Sequence, residues 1–159
     1  MSLNPDPRFM RMAIQLATDN VASGGGGPFG AVIVRHGEVI AAEANSVTRT
    51  NDPTAHAEVN AIRAACAKLQ TFQLSDCDVY TSCEPCPMCL AALYWSRCRT
   101  IYYGNTAQDA AAAGFDDSFL YDQIRLPNER RRTPIYQLLH DEAMTSFATW
   151  RDSAQRIDY

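Results

Sequence analysis

The sequence has no apolar run approaching the ~20 residues that a bilayer-spanning helix needs, and its first residues lack the basic-then-apolar pattern of a secretory leader. It also lacks a basic excess: 14 Lys and Arg stand against 18 Asp and Glu, a net charge of −4. A polyanion normally meets a basic surface, so this balance argues against a nucleic-acid partner. The run Arg130-Arg131-Arg132 is a short basic exception, and a solvated turn is its simpler reading. Repeats, low-complexity tracts and linker-like stretches do not divide the chain. What remains is ordinary globular composition, 47% hydrophobic and 20% charged over 159 residues. A chain of that size forms one domain burying roughly 70% of its unfolded surface. Six cysteines without a leader predict reduced thiols in the cytoplasm, serving metal binding or catalysis rather than disulfides.

Periodicity gives the order of elements. Phe9, Met12, Ala13, Leu16 and Ala17 recur at helical spacing, predicting a helix from Pro7 to about Val21. The run Gly24-Gly25-Gly26-Gly27-Pro28 ends it. No Lys-Ser/Thr follows that run, so it reads as a turn beside a site rather than a phosphate cradle. Phe29–Val34 and Glu38–Ala44, joined at His36-Gly37, predict a hairpin. A polar loop over 45–53 leads to a helix from about Thr54 or Ala55 to Lys68, with Ala57, Ala61, Ile62 and Ala65 as a small-residue face. Asp78–Ser82 reads as a strand, Cys86 or Pro87 to Trp95 as a helix, and Thr100–Tyr103 as a strand closed by Gly104. A short helix over 107–113, a loop over 115–128 with one helical turn, a fifth strand over Thr133–Leu139 and a helix over 142–156 complete the chain. The order αββαβαβαβα implies a three-layer α/β/α domain around a mixed five-stranded sheet.

Chemistry concentrates in two short segments. Zinc takes nitrogen and sulfur ligands in a tetrahedron, and a catalytic zinc keeps one corner for water. The gap in Cys86-Pro87-Met88-Cys89 lets both thiolates at a helix start point to one ion, and the positive end of that helix favours thiolate over thiol. His56 supplies a third ligand from the start of the preceding helix. Glu58 follows two positions later, where it can reach past the ion to the open corner. Zinc lowers the pKa of bound water toward ~7, giving hydroxide as nucleophile at neutral pH. Glu58 would carry the water's proton to a departing nitrogen. The competing reading is a closed structural site of Cys83, Cys86, Cys89 and His56. It leaves Glu58 without a purpose, and Cys83 precedes the helix turn. Cys66, Cys77 and Cys98 read as small apolar residues.

His56-Ala57-Glu58 with Pro85-Cys86-Pro87-Met88-Cys89 matches the zinc deaminase signature. Together with 27–34, 51–58 and 81–89 it resembles the cytidine/deoxycytidylate deaminase superfamily. The blocks 113–119 and Ile157-Asp158-Tyr159 are similar to the bacterial guanine deaminases of that superfamily. The first and last of the longer blocks are partly shared with tRNA adenosine deaminases. The resemblance implies one zinc per subunit and hydrolysis of guanine to xanthine and ammonia, with a tRNA adenosine or another amino-heterocycle as the alternative substrate. It further implies that Asn45 hydrogen-bonds the purine edge and Phe29 packs on the ring. Asp117 and Tyr159 would close over the substrate. In that family the C-terminal segment, here about 115–159, is exchanged between two subunits. A homodimer follows, with Tyr159 completing the partner's pocket.

Each substrate residue also has a plainer reading. Phe29 fits a core position, Asn45 a turn, and Asp116-Asp117 an N-cap. A terminal Tyr is usually disordered, although Phe147, Trp150 and Ile157 suggest a segment that docks. An aromatic face with an amide and a carboxylate nonetheless suits a flat polar heterocycle.

Overall fold

The computed structural model describes residues 5–159, in two compact units, one ending at Asp117 and the other comprising Ser118–Tyr159. Helix α1 (Pro7–Ala22) begins where Asp6 accepts a hydrogen bond from the Arg8 amide and Pro7 supplies a preset φ. Strands β1 (Gly30–Arg35) and β2 (Glu38–Ala44) form the expected hairpin. A single turn of helix, α2 (Val47–Thr50), lies within the segment read as a loop. Helix α3 (Ala57–Leu69), strand β3 (Cys77–Cys83), helix α4 (Pro87–Trp95), strand β4 (Thr100–Asn105) and helix α5 (Ala107–Ala112) follow.

The strand order is β2-β1-β3-β4. β1 is antiparallel to both β2 and β3, and β3 is parallel to β4. The sheet is therefore mixed, as expected, but it has four strands, not five. Thr133–Leu139 pairs with no strand among the described residues. Pro134 cannot donate to a ladder, and Tyr136 and Leu138 are 85% and 81% exposed. An apolar run becomes a strand only where a partner edge accepts it.

The first unit has three layers. Ala31, Ile33 and Val79 face α3 and α4, meeting Ala57, Ala61, Ala65 and Leu93. Val32, Val34 and Tyr80 face α1, meeting Phe9 and Ala13. Burial on both faces is why β1 reads as a continuous apolar run rather than an alternating one. Ile33, Leu74, Leu93, Val32 and Val79 are fully buried, each contributing about 1.5–3 kcal/mol from removal of its side chain from water. Gly30 carries no side chain because one would collide with the Ala13 carbonyl and Leu16 of α1.

The second unit holds α6 (Ser118–Arg125), a 3-10 turn at Asn128–Arg130 and α7 (His140–Asp152). The single turn expected within 115–128 is thus an eight-residue helix, and the terminal helix begins two residues before its expected start. None of these elements contains a buried residue. Among the described residues no helix is long and apolar enough to cross a membrane.

Candidate active site

Two helix starts create the site. His56 is the N-cap of α3, with extended backbone at φ −70° and ψ 155°. Cys86 is the N-cap of α4, at φ −62° and ψ 166°. Neither makes the side-chain capping hydrogen bond that usually occupies such a position. Their side chains turn toward each other instead. His56 Nδ1 lies 3.6 Å from Cys86 Sγ and 3.4 Å from Cys89 Sγ. A tetrahedral zinc sets imidazole and thiolate donors roughly 3.5 Å apart, given metal–N near 2.0 Å and metal–S near 2.3 Å. The three donor atoms lie within 4.8 Å of one another, so the donor set and spacing fit zinc.

The extended N-cap also explains how His56 and Glu58 serve one site. Because His56 stands outside the helix, its side chain escapes the angular spacing that would separate it from Glu58. Glu58, in the first turn of α3, points inward and is 4% exposed. Its Oε1 accepts a hydrogen bond from Thr81 Oγ1 at 2.8 Å. Burial pushes the Glu58 carboxyl above the usual carboxylate range.

The thiols divide sharply. The Cys89 thiol, together with His56, holds the Cys86 sulfur as thiolate, its pKa down to about 4. Cys89 is pushed the other way by its hydrogen bond to Cys86 and by burial. The same Cys86 contact raises His56. Cys83 stands apart from the three-donor cluster: its sulfur donates to the Thr106 carbonyl at 3.6 Å, and burial raises its pKa to about 11. The four-ligand closed site therefore does not form.

Asn45 follows β2 and is 6% exposed. Its Oδ1 accepts from the amides of Gly27 and Val47, each at 3.2 Å. The oxygen being engaged twice, the Nδ2 donor is the end left to offer a ligand. Asn20, from the last turn of α1, donates to the Gly27 carbonyl at 2.9 Å and the Asn45 carbonyl at 2.8 Å. Gly26, at φ +152°, threads between the two asparagines, where a Cβ would stand 2.6 Å from the Asn45 carbonyl. The glycine run is a clasp for two carboxamides.

Phe29 is half-buried, and its ring meets Phe115 edge-on, with centroids 5.0 Å apart and planes at 85°. Asp117 is half-buried, its carboxyl raised by burial and by the nearby Cys86 charge. Tyr159 belongs to the second unit and is 69% exposed. The first unit thus gathers His56, Cys86, Cys89 and Glu58, with Asp117 electrostatically coupled to Cys86.

Three residues hydrogen-bonded to the site or to its loops escaped the sequence reading. Asn20 continues the buried phase of Phe9, Ala13 and Ala17, so a polar residue at an apolar position was the available signal. Thr81 is likewise in phase with Val79 on a core-facing strand. Asn60 donates to the carbonyls of Ala44 and Ala55 and to Ser46 Oγ, tying the α2 segment to α3. Nothing in its neighbours announced that role.

Residues 3–105 match the cytidine and deoxycytidylate deaminase zinc-binding region. The chain belongs to that family of zinc-dependent deaminases. It is 53% identical over 151 residues to guanine deaminase of Bacillus subtilis, covering 95% of this chain and 97% of that one. The crystal structure of the Bacillus subtilis guanine deaminase superposes with a TM-score of 0.95 at 51% identity, over 98% of this chain and 99% of the other. A guanine deaminase from Nitrosomonas europaea superposes at 0.68 and 35% identity, over 74% of this chain and 68% of that one. A tRNA-specific adenosine deaminase of Aquifex aeolicus is 42% identical, over 70% of this chain and 72% of its own.

Proposed function

We propose that the chain hydrolyses guanine to xanthine and ammonia at the site formed by His56, Cys86, Cys89 and Glu58. The observation that carries this reading is the likeness to a guanine deaminase over 95% of the chain, which runs well past the zinc-binding region ending at residue 105. That remainder holds Asp117, Tyr159 and the second unit.

His56, Cys86 and Cys89 would hold one zinc, which supplies a Lewis acid that brings the pKa of a water toward ~7. Glu58 takes a proton from the water that adds at C2 of guanine and returns it to the exocyclic nitrogen, which leaves as ammonia. Asn45 donates Nδ2–H to an acceptor on the purine edge. Phe29 packs on the ring, and the Asp117 carboxylate accepts from ring N–H groups. Removing a nucleobase amino group this way fits purine catabolism in the cytoplasm.

The second unit supports a homodimer. Tyr136, Leu138, Phe147 and Ile157 are 85%, 81%, 63% and 64% exposed, and a monomer rarely leaves so much apolar surface in water. An exchanged C-terminal segment would cover it and bring Tyr159 to the partner's pocket.

The test is ammonia release from guanine, adenine, cytosine and cytidine, with a tRNA stem-loop in parallel. Guanine alone should be turned over. Release from cytosine, adenine or the stem-loop without release from guanine would reject the substrate.

A further inference from the structure

Thr81 is fully buried on an interior strand, in register with Ala31 of β1 and Tyr103 of β4. Packing alone favours Val at such a place, since it has the same shape and no hydroxyl to desolvate. Among the described residues the hydroxyl's side-chain partner is Glu58 Oε1 at 2.8 Å. The carboxyl's other partners are the Cys89 thiol and Glu58's own backbone amide.

A hydroxyl suits that partner for a chemical reason. Glu58 must be a carboxylate when it takes a proton and a carboxylic acid when it gives one up. A hydroxyl can donate to the first and, by rotating about its C–O bond, accept from the second. An amide N–H or an ammonium can only donate and would hold one state alone. β3 also gives Thr81 a rigid base, because the strand is paired on both sides.

We infer that Thr81 is a positioning residue for the proton carrier, fixing Glu58 Oε1 through both halves of the cycle. This rests on the assignment of Glu58 as that carrier. A misdirected proton carrier slows the step it serves without weakening substrate binding.

The test compares Thr81→Val and Thr81→Ser in zinc-loaded protein with guanine as substrate. Thr81→Val should lower kcat by about tenfold or more while KM stays within about twofold and zinc content is unchanged. Thr81→Ser, which restores the hydroxyl, should recover kcat to within about threefold of the parent. A crystal structure of Thr81→Val should find the Glu58 carboxylate in more than one rotamer, and that of Thr81→Ser in one. Undiminished kcat in Thr81→Val, or Thr81→Ser as slow as Thr81→Val, overturns the inference. If Thr81→Val does not fold, Thr81→Ala against Thr81→Ser makes the same comparison. Glu58→Ala separates the two layers. If it keeps turnover, the Glu58 assignment fails; if it is inactive while Thr81→Val runs at full speed, only the role of Thr81 fails.

Discussion

Asn20 Nδ2 reaches across 25 positions of sequence to the backbone carbonyl of Asn45, at 2.8 Å, and through Gly27 it also fixes the loop that holds the Asn45 side chain. A helix end thus sets which face of a carboxamide a ligand would meet.

Replacing Asn20 by Ala removes both N–H donors and leaves the buried Asn45 carbonyl without this partner, while the Gly27 carbonyl still accepts from the Phe29 amide. The loss should be about 1–3 kcal/mol of stability, read by denaturant titration. KM for guanine should rise by about fivefold or more as Asn45 loses its fixed direction, with kcat changed less. A stability loss with KM unaltered would separate Asn45 from substrate binding.

Glu58→Ala should retain zinc, measured by metal analysis, and lose roughly 10²–10⁴-fold in kcat. Turnover close to that of the parent would remove Glu58 from the chemistry.

His56→Ala, or dialysis of the parent against a chelator, should empty the site and lower the thermal midpoint, because metal held by a folded cluster stabilises the fold that presents it. Zinc readdition should restore the chelated parent and not the variant. Full activity in metal-free protein would exclude a metal-dependent reaction.

Cys83 and Cys77 carry thiols raised to about 11 by burial. Both should resist iodoacetamide at neutral pH in the native protein, since the thiolate is the reactive form. Cys83→Ser should bind one zinc per chain, as the parent does. Loss of the metal from that variant would reinstate the four-ligand site.

Removing Ile157–Tyr159 should lower kcat/KM on guanine by about tenfold or more, with zinc content intact. The exchange of segments predicts more. Mixing the truncated chain with Glu58→Ala should raise turnover above that of either chain alone, because in an exchanged dimer one site would combine an intact Glu58 with an intact tail. No recovery on subunit mixing would place Tyr159 with its own chain's site.

The cluster of His56, Cys86 and Cys89 and the neighbouring Glu58 were readable from sequence because the motif is local. Cys86 and Cys89 lie within one turn, and His56 and Glu58 flank one helix start. The hairpin and the β3–α4–β4 unit were readable because short apolar runs, the His36-Gly37 turn and Pro87 at a helix start mark them. The fifth strand was misread because the apolar run over Thr133–Leu139 carries β-propensity without any information about a partner edge. Asn20 and Thr81 were missed for a related reason. Their roles exist only in contacts 25 and 23 positions distant, and single-residue preferences classify them as a helix-end amide and a strand hydroxyl.

His56 and Cys86 occupy the two helix positions at which other helices of this chain are capped, by Asp6 for α1 and Thr106 for α5. Giving those positions to ligands leaves the starts of α3 and α4 without a brace usually worth about 1 kcal/mol each. The ligand positions are therefore places of local frustration in the metal-free chain, and a bound cation would relieve it by tying both helix starts together. Amide exchange in the first turns of α3 and α4 would then serve as a gauge of metal occupancy, slowing on loading while the centre of the sheet stays unchanged.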